Sequence, residues 1–323
     1  MLAELAFASP LGALIALAGL FPLAGLLLAR GRARRVRRRL GLCEPGARSR
    51  LLPVAGVAGA AALLGAAAAQ PVVAHSGRQL SRTDAEAYIV IDTSRSMLAS
   101  RGRSGRARLD RAKAAAAAIR DALPTVPVGL ASMTDRVLPH LFPSVDGKVF
   151  KTTLERAIGI ERPPPSAGFL TNVTRLDAIG EVMHYTFFSD LSTKRLLVVI
   201  TDAESLPVST AKVVRDLAGP PRVQTVFVHV WDPRERVYTR GLEEPQYRPD
   251  RTSAATLRSL AAATGGSAFT EREVGDAAAA ARVAAGQGPS VAHGTRRTQL
   301  ALAPWLALGA VLPIALLLWR RDR

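Results

Sequence analysis

Cysteine is almost missing from this chain of 323 residues; Cys43 is the single one. No intrachain disulfide can form, and no thiolate cluster can hold zinc or an iron–sulfur centre. Aromatic residues make up 5% of the chain. They do not interleave with basic residues as in a nucleic-acid platform, and no zinc-finger spacing is present, so a nucleic-acid partner is not expected. The nucleophile elbow G-x-S-x-G, the P-loop and the H-E-x-x-H zinc motif are missing too. The five histidines, His75, His140, His184, His229 and His293, are scattered, and His229 reads as a core or rim residue of a strand. Nothing here spells a familiar catalytic constellation, and the chain reads as a non-enzyme.

Acidic residues are few as well: 26 Asp and Glu stand against 43 Lys and Arg, for a formal net charge of +17. The excess is localised. Residues 30–50 carry nine arginines and one glutamate. This basic block lies between two uncharged apolar runs, Ser9–Ala29 and Leu51–Ala74, which favours a membrane explanation over a nucleic-acid arm. Crossing a bilayer takes about 20 apolar residues. Two transmembrane helices are therefore expected within 1–74, at about 9–29 and 51–71, joined by an arginine-rich loop. A cleaved signal peptide competes for the first run, but the arginines follow the run rather than precede it. A third span is expected at about 300–319, within 291–323, closed by Arg320, Arg321 and Arg323. The positive-inside rule puts both basic flanks in the cytoplasm and the block between the second and third spans outside. The expected localisation is the inner or plasma membrane of a bacterial cell, multi-pass, with that block extracytoplasmic.

Residues 75–290 alternate strands with helices. Strands are expected at Glu86–Asp92, Val126–Met133, Val137–Phe142, Leu196–Thr201, Val223–Val230 and Ser267–Thr270. Helices are expected at Leu109–Leu123, Phe150–Ile158, Thr174–Phe188, Val208–Leu217, Thr252–Thr264 and Glu273–Ala285. Residues 98–106 read as a mobile Arg/Gly/Ser loop, Pro163–Pro165 as an extended loop, and 231–250 as a polar loop. Such alternation implies an α/β fold, a doubly wound, mostly parallel sheet with helices on both faces.

Two of these strands end alike. Ile89-Val90-Ile91 runs into Asp92-Thr93-Ser94-Arg95-Ser96, and Leu196–Ile200 runs into Thr201-Asp202-Ala203-Glu204-Ser205. Ligands of open α/β sheets gather past the carboxyl ends of the strands. Asp92, Ser94 and Ser96 can turn three oxygens toward one point, and oxygen-only ligation suits a hard divalent cation. A bare D-x-S-x-S reads equally well as a helix cap. What favours the cation is the second aspartate-ended strand, with the polar loop Phe169–Thr174 between the two.

These three pieces, in this order, resemble the metal-ion-dependent adhesion site of von Willebrand factor type A (VWA) domains. The resemblance implies Ser94, Ser96 and Thr174 as direct ligands of Mg²⁺ (or Mn²⁺ or Ca²⁺). Asp92 and Asp202 would act mainly through water. Thr171, three residues earlier, competes with Thr174, which is preferred because Leu176, Ile179 and Met183 follow it at helical spacing. The family's usual glycine after the last aspartate is Ala203 here. The resemblance further implies a partner protein that supplies a carboxylate to the metal. Arg95, Arg101, Arg103, Arg106 and Arg108 would add electropositive potential for it. The whole layout resembles the Bat-type (aerotolerance) membrane VWA proteins, which implies a MoxR-type AAA+ ATPase system or other membrane VWA proteins as partners. The expected role is an adhesion, scaffold or complex-assembly factor of the cell envelope. Two alternatives are a metal-dependent envelope hydrolase using Asp92 and Asp202, and a VWA-like fold that no longer binds metal.

Overall fold

The computed structural model describes residues 3–41, 47–160, 162 and 174–321. Cys43, Pro163–Pro165 and the 169–173 part of the polar loop, with Thr171, lie outside the described residues. The chain forms two compact units, one from residues 1–78 and 294–323, the other from Gln79–His293.

The first unit holds the apolar helices. After β1 (Ala3–Phe7) come a 3-10 helix, Pro10–Gly19, then α1 (Leu20–Arg39) and α2 (Ala47–Ala68). Pro10–Arg39 and Leu51–Ala68 are long and apolar enough to cross a membrane. Small residues let them meet: a Cβ at Gly12 would lie 2.0 Å from the Ala68 carbonyl oxygen. At Gly65 it would lie 2.6 Å from Ala16 Cβ, and at Gly19 2.3 Å from Ala61 Cβ. Close approach at small residues is how apolar helices associate where no hydrophobic drive separates them from lipid.

Two expectations are corrected here. The arginine block is not all loop, because α1 runs on through Arg39; arginine is a good helix former. The second apolar run stops being helical at Ala68, and β2 (Pro71–Arg82) follows. Pro71 cannot continue a helix interior, and β-branched Val72 and Val73 suit a strand.

In the second unit the order is β3 (Ala85–Asp92), α3 (Arg108–Asp121), β4 (Val128–Met133), β5 (Val137–Ser144), α4 (Gly147–Ala157) and a 3-10 helix, Leu176–Met183. Then come β6 (Lys194–Thr201), α5 (Thr210–Leu217), β7 (Val223–His229), the small hairpin β8 (Tyr238–Thr239) and β9 (Leu242–Glu243), α6 (Ser253–Thr264), β10 (Ser267–Thr270) and α7 (Val274–Ala285). The chain leaves through β11 (Ser290–Ala301) and α8 (Ala303–Arg321). The third apolar helix therefore starts at Ala303, because Leu300 and Ala301 belong to β11. Strand β11 lies beside β2 in a three-stranded sheet with β1.

The central sheet has the order β10-β7-β6-β3-β4-β5, parallel except for β5. The expected doubly wound fold is present. On one face Ile89, Ile91, Val198 and Ile200 pack with α3, α4 and α7 through Ile119, Phe150 and Ala281. On the other, Tyr88, Val90, Leu197 and Val199 pack with the Leu176–Met183 turn, α5 and α6 through Ile179, Val213 and Leu257. Burial on both faces explains why β3 and β6 read as unbroken apolar runs rather than alternating ones.

The expected helix Thr174–Phe188 is shorter and tighter. Leu176, Ile179 and Val182 are the large buried side chains, a spacing of three that matches 3-10 geometry, not the α period. Met183 is only partly buried. Glycine at 180 weakens an α-helix, and a Cβ there would sit 2.6 Å from Asp216 Oδ2.

The domain's two ends are clamped together. Arg82 pairs with Asp84 at 2.7 Å and donates through Nη1 to the Gly286 carbonyl at 2.7 Å. Both lie at the amino edge of the parallel strands. From β3 the chain moves to β4 on one side and returns to β6 on the other. The carboxyl ends of β3 and β6 thus flank the point where strand order reverses, the ordinary ligand crevice of such sheets.

Candidate metal site

Asp92 and Thr201 end the neighbouring strands β3 and β6, and Asp202 follows at once. Asp92 is fully buried. Its Oδ1 accepts the Ser94 backbone N–H at 2.9 Å, its Oδ2 accepts the Thr201 hydroxyl at 2.6 Å, and the Thr174 hydroxyl stands 3.4 Å from both oxygens. The Ser94 and Ser96 hydroxyls are 3.0 Å apart. The Ser94 turn and the 3-10 turn Arg95–Leu98 thus bring both serines to the aspartate. Thr174 is delivered by a single parallel bridge to Ser205 and by the Leu206 N–H, which donates to the Thr174 carbonyl at 3.0 Å.

Among the described residues no lysine or arginine pairs with Asp92. Burial first, then the charge of Asp202, push its carboxyl up to about 7, against the hydrogen bonds from Thr201 and Ser94. A buried carboxylate without a cation beside it is costly. Among the described residues no group of three or more His, Cys, Asp or Glu is placed to hold a metal. The site is instead hydroxyl-rich, with the four hydroxyls of Ser94, Ser96, Thr174 and Thr201 and one uncompensated carboxylate. Hard oxygen donors of this kind fit Mg²⁺ or a similar cation.

Asp202 points elsewhere. Its Oδ1 accepts the Glu204 N–H at 3.0 Å, and its Oδ2 accepts from Arg108 Nη1 at 2.8 Å. Arg108 is wholly buried. It also reaches Glu204 Oε1 at 2.9 Å and, through Nε, Glu235 Oε2 at 2.7 Å. The carboxylates raise the Arg108 pKa against its burial, so the guanidinium stays charged. Burial and the charge of Asp202 raise the Glu204 carboxyl, while Arg108 and Tyr247 oppose the shift. Glu204 accepts from Trp231 Nε1 at 2.8 Å, the Tyr247 hydroxyl at 2.7 Å and the Asp250 N–H at 3.2 Å.

The expected electropositive contribution is corrected for three of the five arginines. Arg108 is the hub of a buried ionic cluster, Arg101 pairs with Asp232, and Arg95 pairs with Glu244. Nor is 98–106 a free loop, because Ser100 and Arg236 exchange two backbone hydrogen bonds of 3.0 Å each. Thr201, Glu235, Trp231 and Tyr247 went unmarked in the sequence, and Arg108 was marked only as a source of positive potential. Thr201 carried one signal, a hydroxyl beside the strand-ending aspartate. Arg108 looked like one more arginine in a basic stretch.

Ala203 has φ 56°, in the left-handed region. A side chain there costs roughly 1–2 kcal/mol that glycine avoids. The backbone turn after Asp202 therefore keeps the conformation that favours glycine, and Ala203 adopts it.

Fold and cleft together define a doubly wound α/β domain whose carboxyl edge gathers oxygen donors. Residues 87–204 match the family model of the von Willebrand factor type A domain. Among solved structures, an aerotolerance-related membrane protein from Bacteroides fragilis is 21% identical, with TM-score 0.47, over 61% of this chain and 96% of that one. The protein BatB from Bacteroides thetaiotaomicron is 18% identical, with TM-score 0.46, over 60% and 99%. Manganese-loaded TRAP protein from Plasmodium vivax is 10% identical, with TM-score 0.42, over 71% and 81%. No protein of curated function matches the sequence.

Proposed function

We propose that the chain is a membrane-anchored VWA protein that binds one divalent cation with Ser94, Ser96 and Thr174, aided by Asp92 and Asp202. Through that cation it would take an acidic group of a partner protein. The observation that carries this reading is Asp92: a buried carboxylate in a site with four hydroxyls and, among the described residues, no cationic side chain paired with it. Neutral hydroxyl ligands leave a cation with unsatisfied charge, which favours an anionic oxygen from outside. Asp202, already paired with Arg108, suits an outer role better than a direct one.

Apolar helices on both sides of the domain support a multi-pass membrane protein. The basic residues 30–39 and 320–321 support a cytoplasmic location for those flanks, with the domain outside. A scaffold or assembly role in the cell envelope fits this layout, with a MoxR-type AAA+ ATPase or another membrane VWA protein as the partner class. The reading is non-catalytic. His229, the histidine in contact with this edge, spends its Nε2 on the Asp202 carbonyl at 3.0 Å and on Ser253 Oγ at 3.1 Å. Its ring is buried and stacks on Trp231.

The test is Mn²⁺ binding to the detergent-solubilised full chain, read by the electron paramagnetic resonance of free Mn²⁺, beside Asp92→Ala and Ser94→Ala/Ser96→Ala. One saturable site that is weakened at least tenfold in both variants supports the reading. Two sites would favour metal-dependent hydrolysis, and no site would sink the cation reading.

A further inference from the structure

The segment that follows β7 is stitched to both loops of the site. Toward the Asp202 loop it offers Trp231, Tyr247 and Asp250, all to Glu204. Toward the serine loop it offers the Ser100–Arg236 bridge and, beside the hairpin β8–β9, Glu244 and Thr239. Both of these contact Arg95: Glu244 forms an ion pair with its guanidinium, and the Thr239 hydroxyl accepts from Nη2 at 3.3 Å. Thr239 also donates to Glu244 Oε1 at 2.5 Å.

Arg95 stands between Ser94 and Ser96, the two residues whose hydroxyls converge. We propose that Arg95 is a second anchor for an acidic partner, and that Glu244 is the chain's own carboxylate holding that place. The occupant is a peptide segment with two carboxylates a few residues apart, one for the cation and one for Arg95. This rests on the cation reading above and adds the partner's second contact.

Three observations carry it. First, a carboxylate already docks on this guanidinium, so the spot is built for one; the planar fork of arginine matches a carboxylate bidentately. Arg95 reaches both oxygens of Glu244. Second, the pair is open to exchange. The Arg95 and Glu244 side chains are 43% and 28% exposed, whereas Arg108 is 0% exposed. Exposed ion pairs are individually weak, so replacing one carboxylate by another costs little. Third, the guanidinium belongs to the same short turn as Ser96. A ligand that grips Arg95 therefore arrives beside the serine hydroxyls rather than on a remote face.

The experiment measures binding of fluorescein-labelled hexaglutamate to the detergent-solubilised full chain by anisotropy, with Mg²⁺ in excess. Wild type is compared with Glu244→Gln, Arg95→Gln, the double variant and Asp92→Ala. Removing the internal competitor should tighten binding roughly two- to fivefold, the scale of one exposed ion pair. Arg95→Gln should weaken binding and abolish the gain from Glu244→Gln. Equal binding by wild type and Glu244→Gln overturns the inference, as does a gain that persists without Arg95 or the lack of any hexaglutamate binding. If Asp92→Ala and EDTA leave binding unchanged while the Glu244→Gln gain depends on Arg95, the Arg95 anchor stands and the cation's role falls.

Discussion

Of the arginines that tie the segment after β7 to the rest of the carboxyl edge, Arg108 and Arg95 do so on opposite terms. Arg108 lies wholly inside, among Asp202, Glu204 and Glu235, and the ring of Tyr247 covers it at 6.0 Å. Arg95 sits half in water against Glu244. The chemistry is the same, guanidinium against carboxylate, and the difference is solvent. Inside, neither partner can be removed without stranding charge. Outside, water and salt replace what is lost. The domain thus has a permanent fastening next to the aspartates and a replaceable one next to the serines.

The largest way to break this comparison is Arg108→Ala. Removing one partner of a buried pair costs about 3–5 kcal/mol, so urea unfolding should show a loss of that order, little relieved by salt. A loss below about 1 kcal/mol, as for an exposed pair, would erase the distinction. Cation binding comes next. Mg²⁺ at a hundredfold excess over its dissociation constant should stabilise the wild-type domain by about 2.7 kcal/mol. Asp92→Ala should show no such rise in thermal unfolding.

Backbone strain near the permanent fastening gives a smaller effect with a diagnostic sign. Ala116→Gly, inside α3 and buried, should destabilise by about 1 kcal/mol. Ala203→Gly should be neutral or stabilising by up to about 1 kcal/mol, because glycine is at ease at positive φ. Equal losses in both would mean that the turn at Ala203 is not strained.

His140 tests burial without an arginine. Its Nε2 meets Ser132 Oγ at 2.8 Å, and burial lowers its pKa below the ordinary 6.5. The unfolded chain then binds the proton more readily than the folded one. Stability contributed by the neutral ring is fully present above that ordinary value and is lost as pH falls through it toward the lowered one. Acid-side unfolding between pH 7 and 5 should be shallower in His140→Gln. Smallest of all is Arg95→Gln, which should change stability by less than about 1 kcal/mol, and less still in high salt.

Much of the fold was legible because β3 and β6 are apolar runs that end in aspartate, and alternation with helices did the rest. Asp92, Ser94, Ser96 and Thr174 could be picked out because they lie in two short local patterns, and the structure gathers these four. The Arg108 cluster was not legible. Its partners lie 94, 96 and 127 residues away along the chain, and composition registers an arginine without registering its carboxylates. For the same reason the basic stretch 95–108 looked like a source of positive potential, when Arg95, Arg101 and Arg108 are each neutralised at long range. The 3-10 turn at Leu176–Met183 was misread because spacings of three and four overlap in so short a segment. Only burial of Val182 in place of Met183 separates them.

The clamp between Arg82 and Gly286 has a mechanical consequence. It places both attachment points of the domain at the amino edge of the parallel strands, with Asp92 and Asp202 at the opposite edge. A load applied through a partner at the carboxyl edge, and resisted at the two ends of the domain, runs along the axes of β3 and β6. Interstrand hydrogen bonds then lie across the load and are strained together in shear, instead of opening one after another from a free end. Pulled in that direction, the sheet behaves as a tension member.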